Sequence, residues 1–178
     1  MNVQLKTTDR ILALGEGASG KTYLAKRLLS QARRVVVFTP HPHEWNKFPN
    51  VVAGWEAEQL FKTIGQCLKS GNCILAIDDA DIPLDRYADD PRLRYFLAAS
   101  RHRGVGWLCV SRRTADLPPL FFKQANHLFI FQTDLPRDLE VYRAFYGVDK
   151  EVKALPREVH GCLYLNRETR EKTIVVAQ

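Results

Sequence analysis

Gly15-Glu16-Gly17-Ala18-Ser19-Gly20-Lys21-Thr22 fits G-x-x-x-x-G-K-[ST], the Walker A or phosphate loop. The pattern limits the fold because it works only between a strand and a helix. Both flanks comply. Arg10 to Leu14 is a short apolar run stopped by glycine, which suits a buried strand. Lys21 to Ala32 carries Tyr23, Leu24 and Leu28 at helical spacing, running on into Gln31-Ala32. Glycines permit the loop's unusual backbone angles and leave no side chain between amide and phosphate. The N–H groups of Gly17 to Thr22 can point at a β-phosphate, aided by the helix N-terminus. Lys21 is expected to reach the β- and γ-phosphates, and Thr22 to offer its hydroxyl to Mg²⁺. Gly15, Gly17, Ala18, Ser19, Gly20, Lys21, Thr22 and the following Tyr23 form the candidate nucleotide-binding set. The plain alternative is a glycine-rich turn before a helix, which is common.

The rest of the chain alternates apolar runs with helical segments, which predicts an α/β fold with a largely parallel sheet. Expected strands are Arg34 to Thr39, Val51-Val52, Cys73 to Ile77, Val105 to Ser111 and His127 to Gln132, with a short one at Val3 to Leu5. Expected helices are Glu56 to Lys69, Pro91 to His102 and Leu135 to Tyr146. Cys162 to Leu165 and Thr173 to Val176 flank Asn166-Arg167-Glu168-Thr169 and read as a closing hairpin. With 178 residues, one domain over 1–178 is expected, its core at about 10–132 and a C-terminal helix and hairpin at about 135–178. No stretch approaches the ~18 apolar residues that cross a bilayer, and the N-terminus does not read as a signal peptide. The expectation is a soluble intracellular chain, not inserted in a membrane. Cys67, Cys73, Cys109 and Cys162 form no C-x-x-C and read as buried free thiols, which fits a reducing compartment. The net charge is +6, with sixteen Arg against ten Lys. Guanidinium forks suit phosphate, but many solubilising surfaces carry as much charge.

Cys73-Ile74-Leu75-Ala76-Ile77-Asp78-Asp79 is an apolar strand ending in two carboxylates, a Walker B pattern. Asp78 is expected to hold Mg²⁺, directly or through water, and Asp79 to orient and polarise an attacking water. Many water-activating P-loop ATPases have glutamate there. Aspartate is one methylene shorter, and Asp81 is the reserve candidate. The alternative is an acidic pair closing a strand in a turn. Arg101, His102 and Arg103 end a helix ahead of the next apolar run, and Ser111-Arg112-Arg113 follow it. Basic residues there can simply complement the helix dipole. An arginine reaching a neighbour's γ-phosphate would instead stabilise transition-state charge. If that strand inserts between the two Walker strands, Ser111-Arg112 lies beside the phosphate loop and would sense the γ-phosphate.

Together with Ala99-Ser100-Arg101-His102-Arg103-Gly104-Val105-Gly106-Trp107-Leu108-Cys109-Val110-Ser111-Arg112-Arg113, Asp116-Leu117-Pro118 and His127-Leu128-Phe129-Ile130-Phe131, these motifs resemble the FtsK–HerA superfamily of DNA-pumping ATPases. The likeness is greatest to the small packaging ATPases of tailless, membrane-containing double-stranded DNA viruses, and it covers roughly residues 10–132. It implies a three-layer P-loop NTPase (ASCE/RecA-like) with a mostly parallel central sheet of order 5-1-4-3-2, to which the closing hairpin adds antiparallel edge strands. It implies ATP and Mg²⁺, assembly into a pentameric or hexameric ring, and ATP-driven movement of duplex DNA into a preformed capsid. The partners it implies are double-stranded DNA gripped without sequence reading, further copies of the chain, and a capsid-vertex or viral membrane protein. The setting is host cytoplasm or virion. Arg101 matches the family's trans-acting arginine finger, with Arg103 as the alternative. Relatives usually carry Gln as sensor where this chain has Arg112, which leaves an arginine contact as the alternative part for Arg112.

Other features carry less. His41-Pro42-His43 lacks a third metal ligand nearby in sequence. Asp85-Arg86-Tyr87 is similar to a thymidylate-kinase motif but fits a turn. Trp45, Trp55 and Trp107 are expected to be packing residues. Arg86, Arg92, Arg94, Arg112, Arg113 and Lys123 would suit either a DNA-facing pore or salt bridges between subunits. Two other function classes remain open at this point: a P-loop kinase for a nucleotide or other small acceptor, and a non-catalytic, nucleotide-gated assembly component.

Overall fold

A computed structural model describes residues 4–84, 89–157 and 160–176. The elements are strands β1 (Arg10–Leu14), β2 (Val35–Thr39), β3 (Val51–Ala53), β4 (Cys73–Ile77), β5 (Val105–Ser111), β6 (His127–Phe131), β7 (Gly161–Asn166) and β8 (Glu171–Val176), and helices α1 (Lys21–Leu29), α2 (Ala57–Ser70), α3 (Asp81–Leu84), α4 (Pro91–Ala99), α5 (Pro119–Gln124), α6 (Pro136–Tyr146) and α7 (Asp149–Lys153). The strands form one sheet of order β3-β2-β4-β5-β1-β6-β7-β8. Strands β1 to β6 run parallel, and β7 and β8 close the edge antiparallel. Counting the long strands β1, β2, β4, β5 and β6 as one to five gives 5-1-4-3-2. The expected order therefore holds across the centre. The sheet differs at its far edge, where β3 adds a parallel strand outside β2.

The central strands are apolar throughout because both faces are covered. Side chains alternate between faces at the period of two that a pleated strand imposes. Leu12, Leu75, Ile77, Trp107, Cys109 and Leu128 point into the layer with α2, α4 and α5. Ile11, Ala13, Ile74, Ala76, Leu108 and Phe129 point the other way, against Leu24, Ala25, Leu28 and Leu29 of α1. Helix α2 buries Leu60, Phe61, Ile64 and Cys67 on one face, and Glu56 with Gln59 closes its start as a capping box. All four cysteines are buried and free.

Three expectations fail. Residues 4–6 form no strand, while Val3 lies outside the described residues. Both edges of β1 are already taken by β5 and β6. The segment instead turns on Asp9, whose Oδ2 accepts from the Lys6 amide at 2.7 Å. The helix from Pro91 stops at Ala99, and Arg101–Arg103 form a separate 3-10 turn closed by left-handed Gly104. Trp55 is 63% exposed in the turn before α2, whereas Trp45 and Trp107 are fully buried. Asp85-Arg86-Tyr87, expected to form a turn, lie outside the described residues.

Because β1, β4, β5 and β6 are parallel, their carboxyl ends open onto one edge. The register sets Leu14 beside Ser111 and Ile130, and Ile77 beside Cys109. That edge of an open α/β sheet is where ligands bind.

Candidate functional site

The phosphate loop leaves β1 in a conformation only glycine takes easily. Gly15 has φ +143°, and a Cβ there would stand 2.7 Å from Phe131 Cβ. Its amide donates to the Ser111 carbonyl at 3.3 Å, which ties the loop to β5. Gly20 has φ +97° and opens α1 without a side-chain cap, and no acid occupies the first turn. The first amides of α1 therefore meet no side-chain acceptor, which makes the helix start a natural seat for an anion.

Lys21 is 5% exposed. Its Nζ donates to the Glu16 carbonyl at 2.5 Å and to Ser19 Oγ at 3.2 Å, so the lysine lies folded within its own loop. Burial pulls its pKa down to about 8, against the opposing pull of Asp79 and Asp81.

Two consecutive acids end β4, and the structure gives them different surroundings. Asp78 is buried, and its Oδ2 accepts from Trp45 Nε1 at 2.7 Å and Thr39 Oγ1 at 3.0 Å. Asp79 has a left-handed backbone, φ +47°. Its Oδ1 lies 3.1 Å from Arg112 Nε and its Oδ2 3.6 Å from His41 Nε2. Burial and the neighbouring Asp78 raise its pKa, with Arg112 opposing. Asp81 points elsewhere. Its Oδ1 accepts from Ser111 Oγ at 3.0 Å and from the Arg112 amide at 3.1 Å, fastening the start of α3 to the end of β5.

These groups surround one cleft of about 650 Å³. Residues 17–23 form one wall, and Asp78, Asp79 and Arg112 face it. His41, Glu44 and His160 complete the rim. The structure thus unites the expected loop residues Gly17, Ala18, Ser19, Gly20, Lys21, Thr22 and Tyr23 with Asp78, Asp79 and Arg112. Gly15 sits behind the wall, shaping the loop through Phe131. Arg101 and Arg103 are not at this cleft. Their turn precedes β5, and Arg103 O meets the Asn72 amide at 3.4 Å, so they lie at the strands' starting edge. Seven strand residues at ~3.3 Å each put on the order of 20 Å between the two edges. Of the basic set, Arg92, Arg94, Arg112 and Arg113 pair with Glu58 and Asp90, Asp89, Asp79, and Asp116 within the chain. Lys123 is exposed, and Arg86 lies outside the described residues.

Sequence reasoning did not find Thr39, His41 and Trp45. Thr39 looked like an ordinary strand end, His41 like half of a failed metal pair, and Trp45 like packing. The missing signal was topological. Once β2 lies beside β4, the residues following β2 must stand next to Asp78 and Asp79.

No family model and no curated protein matches the chain by sequence. The genome packaging NTPase B204 from Sulfolobus turreted icosahedral virus 2, solved with sulfate, is 23% identical with a TM-score of 0.82 over 96% of each chain. Its complex with ATP-gammaS gives 24% identity and a TM-score of 0.80 over 96% of this chain and 97% of that one. ATPases 2 and 3 of EccC from Thermomonospora curvata, in complex with a signal sequence peptide, are 10% identical with a TM-score of 0.62, over 96% of this chain and 37% of theirs. The fold is that of these NTPases, as the sequence resemblance implied.

Proposed function

We propose that the chain is an ATP-hydrolysing motor that moves double-stranded viral DNA into a preformed capsid. The observation that carries this is the single cleft in which the phosphate loop faces Asp78, Asp79 and Arg112. The fold shared with a viral genome packaging NTPase supports it. In this reading the amides of the loop and of the first turn of α1 hold the triphosphate, and Lys21 exchanges its internal partners for phosphate oxygens. Thr22 and Asp78 supply hard oxygen donors, the kind Mg²⁺ takes, and Trp45 and Thr39 fix the Asp78 carboxylate in place. Bound Mg²⁺ would neutralise charge on the β- and γ-phosphates.

Asp79 orients a water in line with the γ-phosphorus and accepts its proton as the water oxygen bonds to phosphorus. The bond to the ADP oxygen breaks, and ADP and phosphate leave. Before this, the Asp79 oxygen held by Arg112 must come free. Arg112 is then available to turn its charge toward the γ-phosphate. Arg101 or Arg103 acts at the cleft of an adjacent copy in a ring. Duplex DNA, sister subunits and a capsid-vertex or viral membrane protein are the partners, in host cytoplasm or virion. Among the described residues no helix is long and apolar enough to cross a membrane.

The test is ATPase rate with and without duplex DNA, beside Lys21→Ala. Stimulation of several-fold, abolished in Lys21→Ala, supports the motor. ADP release that depends on a small acceptor would identify a kinase. Nucleotide binding without turnover would identify a gated assembly component. A rate indifferent to DNA in a confirmed oligomer overturns the proposal.

A further inference from the structure

A second cavity of about 640 Å³ lies along the other flank of α1. Lys26 and Arg27 on α1, Arg33 and Arg34 after it, and Lys47 before β3 line it, against a single acid, Glu44. That leaves four of the chain's six net positive charges around one opening. No carboxylate pairs with any of the five among the described residues. Elsewhere Arg92, Arg94, Arg112, Arg113, Arg143, Arg157 and Lys172 each hold an acid. Other cations, such as Lys62 and Lys69 on α2, also lack one among the described residues, so what marks the groove is the gathering of five cations about one opening. Two of the five are anchored without being neutralised: Lys26 Nζ lies 5.2 Å from the centre of the Trp45 ring, and Arg34 Nη1 donates to the Gly71 carbonyl at 3.3 Å. Arg27, Arg33 and Lys47 are exposed. Like charges gathered without counter-charges repel one another, an arrangement that a phosphate-rich occupant relieves.

We propose that this groove seats the phosphodiester backbone of duplex DNA. The proposal rests on the motor reading above and names the surface that makes the contact. The sequence expectation offered Arg86, Arg92, Arg94, Arg112, Arg113 and Lys123 for either a DNA-facing pore or salt bridges between subunits, and four of these arginines pair within the chain. A backbone track also fits the mixed wall, since Ala32, Phe48 and Pro49 leave apolar surface for sugars while the cations meet phosphates. Arg27 is six helical residues beyond Lys21, about 9 Å along α1, so the groove is separate from the phosphate seat. Tyr23 and Glu44 line both cavities. Tyr23 follows Thr22 directly, and Glu44 precedes the tryptophan that holds Asp78, so the two cavities share walls through which occupancy of one is felt at the other.

The experiment compares the wild-type chain, a groove variant (Arg27→Glu, Arg33→Glu, Lys47→Glu) and a control of equal charge change on α2 and α7 (Lys62→Glu, Lys69→Glu, Lys150→Glu). Fluorescence anisotropy measures binding of a labelled duplex across a salt series, and the ATP affinity of each protein is measured beside it. The groove variant is expected to bind DNA at least tenfold more weakly, with a plot of log K against log salt shallower by about 2–3, the slope three phosphate contacts contribute. Its ATP affinity and DNA-free ATPase should equal wild type, and the control should retain most DNA affinity. Equal losses in groove and control variants would show a general charge effect and overturn the proposal. Loss of ATP affinity in the groove variant would make the groove part of the nucleotide site and also overturn it. Wild-type DNA binding that survives groove reversal overturns the groove while leaving the motor intact. Wild type that hydrolyses ATP but binds no duplex overturns both.

Discussion

Lys21 and Trp45 show how single side chains in this cleft hold charge in readiness. The Lys21 ammonium, buried and bonded only to its own loop, has its pKa lowered to about 8. A triphosphate against Nζ would hold the proton on and raise that value. Below pH 8 the lysine is charged in free and bound protein alike, and affinity should be flat. Above pH 8 the free protein must take up a proton to bind. Nucleotide affinity should then fall by at most about tenfold per pH unit. Calorimetry at pH 8.5 in two buffers of different ionisation enthalpy should report uptake of most of one proton, and uptake of none would show that nucleotide does not engage Lys21. Trp45→Phe keeps a ring in the slot and deletes the indole donor to Asp78. One oxygen of a buried carboxylate then keeps only Thr39 as partner, a loss of about 1–3 kcal/mol. The midpoint of thermal unfolding should fall by about 2–4 °C per kcal/mol. The Mg²⁺ concentration that half-saturates nucleotide binding should rise several-fold, because the carboxylate is no longer held. An unchanged melting point would mean that the bond contributes nothing.

At the scale of elements, the junction of β1, β5 and β6 sets the phosphate loop. Gly15 takes φ +143° and passes Phe131 with no room for a methyl group. Gly15→Ala should cost about 1–3 kcal/mol in backbone strain and displacement of β6, and should weaken nucleotide binding by shifting the loop. Chemical denaturation and nucleotide titration check the two effects, and wild-type behaviour in both would remove Phe131 as the loop's support. Much of this geometry was legible in the chain. Buried central strands announce themselves as continuous apolar runs, so Cys73–Ile77 and Val105–Ser111 match the structure end to end. The loop pattern was legible around Lys21 because its glycines and lysine fall within one run of seven residues, Gly15 to Lys21. Contacts between strands distant in sequence were not legible. Trp45 precedes Asp78 by 33 residues, and nothing local marks it as a hydrogen-bond donor to that carboxylate. The pairing of Arg112 with Asp79 likewise appears only once β5 lies beside β4. The expected helix end at His102 failed because left-handed Gly104 closes a separate 3-10 turn after Ala99.

For the whole molecule, the decisive feature is that the cleft and the Arg101–Arg103 turn occupy opposite edges of the sheet. No movement of side chains spans a distance on the order of 20 Å, so neither arginine can serve the cleft of its own chain. Two unlike patches at opposite edges suit a head-to-tail interface, the kind that closes into rings. If Arg101 reaches a neighbour's γ-phosphate, Arg101→Ala should leave nucleotide affinity intact and lower turnover steeply, by up to the 10³–10⁵ that an arginine finger supplies in GTPases. Lys21→Ala should also be inactive, but for want of its own cleft. Mixing the two dead variants then restores function at some interfaces. A Lys21-intact cleft meets an Arg101-intact neighbour at about one interface in four of a randomly mixed ring, so about a quarter of wild-type rate should return. The same mixture made with Arg103→Ala tells which arginine is the finger. Absence of recovery from either mixture, with oligomers confirmed by light scattering, would confine hydrolysis to the single chain and leave the arginine turn without a catalytic part.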